Sequence, residues 1–209
     1  MATNKVLLVS AGWVHPPYRG RLWLKQALVE LDGFSFDEVS SLEEAVQRPL
    51  SAYRAVVLYY HHSNAALTDA ELEAFSSFVK KGGGVLALHS ATASYKKTPA
   101  YFEILGGRFL THGPVAEMEI RPTQADDPIF GGISAFTVRD ELYLHDLQPD
   151  IRIHFGATYQ GKVEPMVWTR EVGSGRVCYV EPGHRAASIL HPTVAEILRR
   201  GLNWVCRAN

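Results

Sequence analysis

The chain has 209 residues, 46% of them hydrophobic and 21% charged, and 21 Lys and Arg against 22 Asp and Glu leave a formal net charge of −1. That length holds one well-buried core, and no field of one sign exists to steer a polyanion, so nucleic acid is not an expected partner. No apolar run approaches the roughly 20 residues of a membrane span, and Met1-Ala2-Thr3-Asn4-Lys5 lacks the basic and apolar regions of a signal peptide; a cytoplasmic protein with no membrane partner is expected.

Residues 5–10 (KVLLVS) form a short apolar run with the character of a buried strand. A loop follows, in which Pro16-Pro17 forbids regular helix. A helix is predicted over residues 19–31, with Leu24, Ala27, Leu28 and Leu31 on one face and Gly33 closing it. A weaker strand spans 34–39. Ser41-Leu42-Glu43-Glu44 has the form of a capping box opening a short helix that Pro49 ends. Residues 54–60 (RAVVLYY) predict a third strand. A second capping box, Thr68-Asp69-Ala70-Glu71, opens a helix that turns Leu72, Phe75, Phe78 and Val79 inward. Gly82-Gly83-Gly84 ends that helix, and residues 85–88 form a fourth strand. Such strand–helix alternation with apolar strands predicts a parallel sheet covered on both faces.

The rhythm then changes. Residues 99–105 suggest a helix, and strands are predicted at 115–121, 136–138, 151–157, 164–170 and 176–180, with a hairpin turn at Glu171-Val172-Gly173-Ser174-Gly175. A last helix, 192–206, aligns Val194, Ile197, Leu198, Leu202 and Val205. No repeat or linker interrupts the chain, so one domain over residues 1–209 is expected.

The glycine run is not a phosphate loop. It follows a helix and opens a strand, the reverse of a phosphate-binding turn, and no Gly-Lys-Ser or Gly-Lys-Thr accompanies it. What comes next carries more chemistry. Residues 85–88 run into His89 with Ala87 and Ala91 two positions to either side, the small-residue pattern of a nucleophile elbow. The end of such a strand is where open α/β sheets gather ligands. A histidine that merely caps the turn fits the same spacing. Cys178 and Cys206 belong to no metal-binding or redox spacing and are expected to be small apolar fillers in a reducing compartment.

The segment Gly82-Gly83-Gly84-Val85-Leu86-Ala87-Leu88-His89-Ser90-Ala91 resembles the signature of ThuA-like (trehalose-utilisation) proteins. Leu105-Gly106-Gly107-Arg108-Phe109 with Thr111-His112, then Asp140-Glu141-Leu142-Tyr143, then Pro165-Met166-Val167-Trp168-Thr169-Arg170, Gly173-Ser174-Gly175-Arg176-Val177 and Gly183-His184 follow that family in order over nearly the whole chain. The resemblance implies a fold similar to the class I glutamine amidotransferases. That is an α/β three-layer sandwich of flavodoxin-like topology with a mostly parallel central sheet, here with extra antiparallel strands in the second half. His89 stands where those enzymes carry a nucleophilic cysteine, so no glutaminase activity is expected. The resemblance also implies carbohydrate metabolism, with a sugar or keto-sugar related to trehalose utilisation as the small-molecule ligand.

Around His89, Glu141 and His184 are the expected catalytic partners. His15, Ser90, His112 and Tyr143 are the expected ligand-binding residues, with Trp13 as a further pocket wall. Three histidines and a glutamate can act as general acid and base near neutral pH. The same set could hold a divalent metal such as zinc, although no local HExxH spacing calls for one. Each residue also has a plainer reading: Glu141 paired with Arg139 or Arg176, His184 capping a turn, His112 idle in a loop. His145 and His154 alternate with apolar neighbours and are expected to be structural. His61-His62 is either a second layer of the pocket or an exposed pair. A homo-oligomer is expected. The alternatives to an enzyme are a non-catalytic sugar or metabolite binding protein, or an assembly role with Trp13 and Trp23 at an interface.

Overall fold

The structure, a computed structural model, describes residues 4–11 and 19–207. The first half alternates as expected: β1 (Asn4–Val9), α1 (Gly20–Leu28), β2 (Phe34–Val39), α2 (Leu42–Val46), β3 (Ala55–Leu58), α3 (Asp69–Lys80) and β4 (Gly84–Leu88). The second half runs α4 (Pro99–Leu105), β5 (Gly107–His112), β6 (Ala116–Pro122), β7 (Phe136–Asp140), β8 (Tyr143–Leu147), β9 (Arg152–Tyr159), β10 (Lys162–Val172), β11 (Gly175–Val180), α5 (Ala186–Ile189) and α6 (Pro192–Cys206).

Local chemistry sets several of these boundaries. Thr68 and Glu71 close a reciprocal capping box at the start of α3. At α2 the Ser41 hydroxyl accepts from Glu44 N, but the Glu44 carboxylate reaches past the cap to Ser40 N. Gly82, at φ +107°, lets the chain leave α3 where other residues would be strained.

Nine strands form one sheet in the order β2-β1-β3-β4-β11-β10-β9-β6-β7. β2, β1, β3, β4 and β11 are mutually parallel, and β10, β9, β6 and β7 continue the sheet in antiparallel fashion. The three-layer sandwich with a parallel core and antiparallel additions is therefore present. Residues alternate between its two faces. Val6, Leu8, Val57, Leu86, Leu88, Cys178 and Val180 pack under α1 and α6. Leu7, Val9, Val56, Leu58, Val85, Val177 and Tyr179 pack under α2, α3 and α4.

Two expectations are corrected. β5 and β8 were not foreseen: they pair with each other in a separate two-stranded sheet, whose register shifts between Phe109 and Thr111 and so breaks the alternation that marks a strand. α1 ends at Leu28 rather than at residue 31, because Leu31 N bonds back to Leu28 O in a closing turn. Trp23, named for the assembly reading, is partly buried against the core.

His154 is buried and has a structural role, as expected, while His145 is partly buried. His154 links Asp127 Oδ2 to Thr169 Oγ1, at 2.7 Å on each side, and Asp127 Oδ1 caps Ile129 N and Phe130 N at 2.8 Å. Burial outweighs the Asp127 charge and lowers the His154 pKa below 6.5. Burial opposes the Asp127 charge, but the two amides and His154 prevail and lower its pKa below 3.8. Each group thus binds protons more readily in the unfolded chain, so stability is present at neutral pH and lost on acidification. Thermal unfolding should show a falling Tm as pH drops below 6.5, and falling further through the acid range. A His154→Gln variant should be less stable at pH 7.5 by about 1–3 kcal/mol and should show a shallower decline between pH 6.5 and 5.

Candidate functional site

β4 and β11 are parallel neighbours in the middle of the sheet, so their carboxyl ends deliver residues 89 and 181–184 to the same place. His89 leaves β4 at φ +41°, in the left-handed region, and opens a 3₁₀ turn over His89–Ala93. A non-glycine residue there is strained unless its surroundings hold it. Here the His89 carbonyl accepts from the Tyr179 hydroxyl at 3.0 Å and from Thr92 Oγ1 at 3.1 Å. The His145 ring backs both hydroxyls, at 3.3 Å from Tyr179 and 3.1 Å from Thr92, and desolvation drives its pKa down to about 3.

The His89 ring is fully buried, with Nδ1 3.0 Å from the Glu181 carbonyl oxygen. A carbonyl only accepts, so Nδ1 carries the proton that bonds to Glu181, and Nε2 is the ring nitrogen turned toward the site. That nitrogen lies 3.6 Å from Glu141 Oε2, and His184 Nδ1 lies 3.5 Å from the same oxygen. His112 Nδ1 is 3.9 Å from Glu141 Oε1. The Tyr143 ring lies over His89, 4.1 Å between centroids, and Phe109 packs on Tyr143 at 4.4 Å. Gly183 is required by this packing, because a Cβ there would stand 2.7 Å from the His89 Cβ.

The electrostatics are those of an anion among imidazoles. Burial works against ionisation of Glu141, but His89, His184 and His112 together hold its pKa down at about 2. Burial lowers the His184 pKa despite Glu141 beside it. Glu181 goes the other way: full burial and the nearby Asp140 raise its pKa far above the carboxylate range, so it sits as a neutral acid, with Oε1 accepting from Tyr143 N at 2.8 Å. His89, Glu141 and His184 each offer one donor atom, and these atoms lie within 4.8 Å of one another. An ionised carboxylate and two imidazoles with donor atoms this close together are able to hold a divalent ion or to pass a proton.

The structure thus gathers His89, Glu141, His184, His112 and Tyr143. Ser90 lies beside them with its hydroxyl donated to the Tyr60 carbonyl at 3.2 Å. His61 is half-buried, and its pKa is lowered by burial, then by Lys96 and His89. His15 and Trp13 fall outside the described residues. Arg176 pairs with Glu171 at 3.8 Å, while Glu141 faces the histidines.

The sequence model of the ThuA family, described as trehalose utilisation, matches residues 5–205. The chain belongs to the ThuA family. No functionally curated protein matches the sequence. This ThuA-family chain superimposes on a ThuA-like protein from Parabacteroides merdae with a TM-score of 0.84 at 22% identity, covering 98% of this chain and 90% of that one. For a cytoplasmic protein of Salmonella typhimurium LT2 the TM-score is 0.73 at 15% identity, with 96% and 99% covered. A β-galactosidase from Bacillus circulans matches at TM-score 0.63 and 15% identity, over 98% of this chain but 30% of that one. At these identities the likeness is one of fold.

Sequence reasoning missed Asp140, Tyr179 and Glu181 in this ThuA-family site. Asp140 opens the Asp140-Glu141-Leu142-Tyr143 motif and Glu181 stands two residues before Gly183-His184, so two acids close to predicted strand ends were a usable signal. Tyr179 carried none, since a tyrosine in an apolar strand is ordinary core. Gly183→Ala should force the His89 Cβ aside and destabilise the fold by about 1–3 kcal/mol, measurable by urea denaturation.

Proposed function

We propose that this ThuA-family protein is a metal-dependent enzyme of carbohydrate metabolism. Its substrate is a sugar or keto-sugar, and a divalent ion such as zinc is held by His89 Nε2, the Glu141 carboxylate and His184 Nδ1. One observation carries the reading. The two imidazole–carboxylate distances, 3.6 and 3.5 Å, are close to the about 3.4 Å that separates neighbouring donors around a tetrahedral zinc ion. A second fact supports it. Asp140 and Glu141 are buried carboxylates, and among the described residues the ion-pair partners of Glu141 are histidines, with no Lys or Arg. Buried anions call for a compensating cation.

When bound, the ion would supply a Lewis acid to a carbonyl or hydroxyl oxygen of the sugar. The chain's own residues supply the rest. His89 is locked in the tautomer that turns its lone pair to the site. His112 donates Nδ1–H to the Gly113 carbonyl at 2.8 Å, which leaves the Nε2 lone pair to take a proton from substrate, and its half-exposed ring stands at the mouth of the site. Tyr143 and Phe109 wall the pocket against water. Thiol-dependent release of ammonia from glutamine is not part of this reading: Cys178 and Cys206 are both buried, burial raises both thiol pKa values, that of Cys206 to about 12, and neither lies at the His89 turn. Two unpaired buried cysteines also suit a cytoplasmic protein.

Elemental mass spectrometry on untagged protein should find close to one divalent ion per chain, and His89→Ala or His184→Ala should lower affinity for it by at least about tenfold. A panel of sugars and keto-sugars should show turnover that a chelator abolishes and the ion restores. His112→Ala should keep the ion and lose about 10²–10⁴ in kcat. Absence of ion from wild type after incubation with zinc, manganese and cobalt would overturn the proposal, and tight sugar binding without product would make the protein a binding module.

A further inference from the structure

We propose that Asp140 is the positioning residue of this site, a single carboxylate that splints together the two segments carrying Glu141 and His184. The inference rests on the ion-binding reading above and extends it to a residue that touches neither ion nor substrate.

Asp140 is fully buried. Its Oδ1 accepts from Glu141 N at 2.8 Å, while Oδ2 accepts from Gly183 N at 2.9 Å and His184 N at 3.2 Å. Three amides are thus satisfied by one side chain, and they belong to two of the three proposed ligands and to the glycine that packs on the third. The two segments have no ladder of their own to align them. Glu141 follows β7, the edge strand of the antiparallel arm, and His184 follows β11 in the middle of the sheet, four places away in the strand order. The Tyr59 hydroxyl donates to the Gly183 carbonyl, so that peptide is gripped on both sides. Both Asp140 oxygens act as acceptors. An amide in its place would turn an NH₂ group toward backbone N–H donors and leave at least one of them unsatisfied. The carboxylate is therefore required as such, and what it fixes is the spacing between Glu141 and His184.

The test uses Co²⁺ as the probe, read by its visible absorption, on wild-type protein, Asp140→Asn and Asp127→Asn. Asp127 is a second buried carboxylate that accepts backbone amides, its partners Ile129, Phe130, Arg152 and His154 all lie outside the proposed ligand set, and it so controls for general loss of stability. Asp140→Asn is expected to weaken Co²⁺ binding by about 10–100-fold and to alter the cobalt spectrum, while Asp127→Asn lowers Tm and leaves both unchanged. Affinity within twofold of wild type in Asp140→Asn, or an equal loss in Asp127→Asn, overturns the assignment. Crystal structures of wild type and Asp140→Asn give a readout independent of metal. A Glu141–His184 separation that stays at the wild-type value overturns the assignment. A separation that widens in a protein whose wild type binds no Co²⁺ supports the splint and rejects the ion. Should Asp140→Asn fail to fold, Tyr59→Phe releases the same Gly183 peptide from its other side. It is expected to weaken Co²⁺ binding at least threefold, and unchanged affinity overturns the splint.

Discussion

The site depends on one hydrogen bond, from His89 Nδ1 to the Glu181 carbonyl. It joins the ends of β4 and β11, two parallel strands whose pairing already places those ends side by side. It settles which ring nitrogen carries the proton and hence which lone pair the site receives. Holding the ring there requires the backbone of His89 in the left-handed region. Much of the surrounding chemistry serves that requirement: two hydroxyls on the carbonyl, a neutral imidazole behind them, and a glycine where any side chain would collide. Strain held in place by its surroundings in this way is characteristic of functional positions.

Burial then sorts the acids around the ring into different states. Glu141 is surrounded by imidazoles and stays ionised. Glu181 is pushed the other way by full burial and by Asp140 nearby, and stays protonated. Glutamates of identical intrinsic acidity thus take different parts, one as a charged donor at the centre and one as a neutral prop beneath Tyr143. Fold alone would not specify this, and the β-galactosidase likeness, confined to 30% of that enzyme, does not transfer its chemistry.

Much of this was legible in the residues. The parallel half followed from apolar runs such as residues 54–60 alternating with capped amphipathic helices, signals that come from local sterics and burial. The elbow was legible as Ala87-x-His89-x-Ala91, because a tight turn needs small neighbours. β5 and β8 were not, since Gly107 and the bulge at Phe109–Thr111 disrupt the period of two. Convergence of Glu141 and His184 on His89 was anticipated from family resemblance and strand ends, but their distances depend on contacts between residues over 40 positions apart, which no local pattern encodes. Asp140 illustrates the limit best: the side chain that joins the segments looks in sequence like one more acid beside Glu141.

The strand order carries a consequence for how the molecule is assembled. Between β4 and its partner β11 the chain makes one long excursion, leaving the parallel sheet after Leu88 and returning at Gly175. The excursion contains Glu141, while the two histidines stand at its departure and return. No fragment ending before β11 contains both histidines, and none without the excursion contains the acid. The pocket therefore cannot form until the excursion is closed, and closing so long a loop costs chain entropy before its contacts repay it. Any ligand that takes all three side chains distinguishes the finished fold from every partly folded form, and occupancy of the site is in effect a check on completed folding.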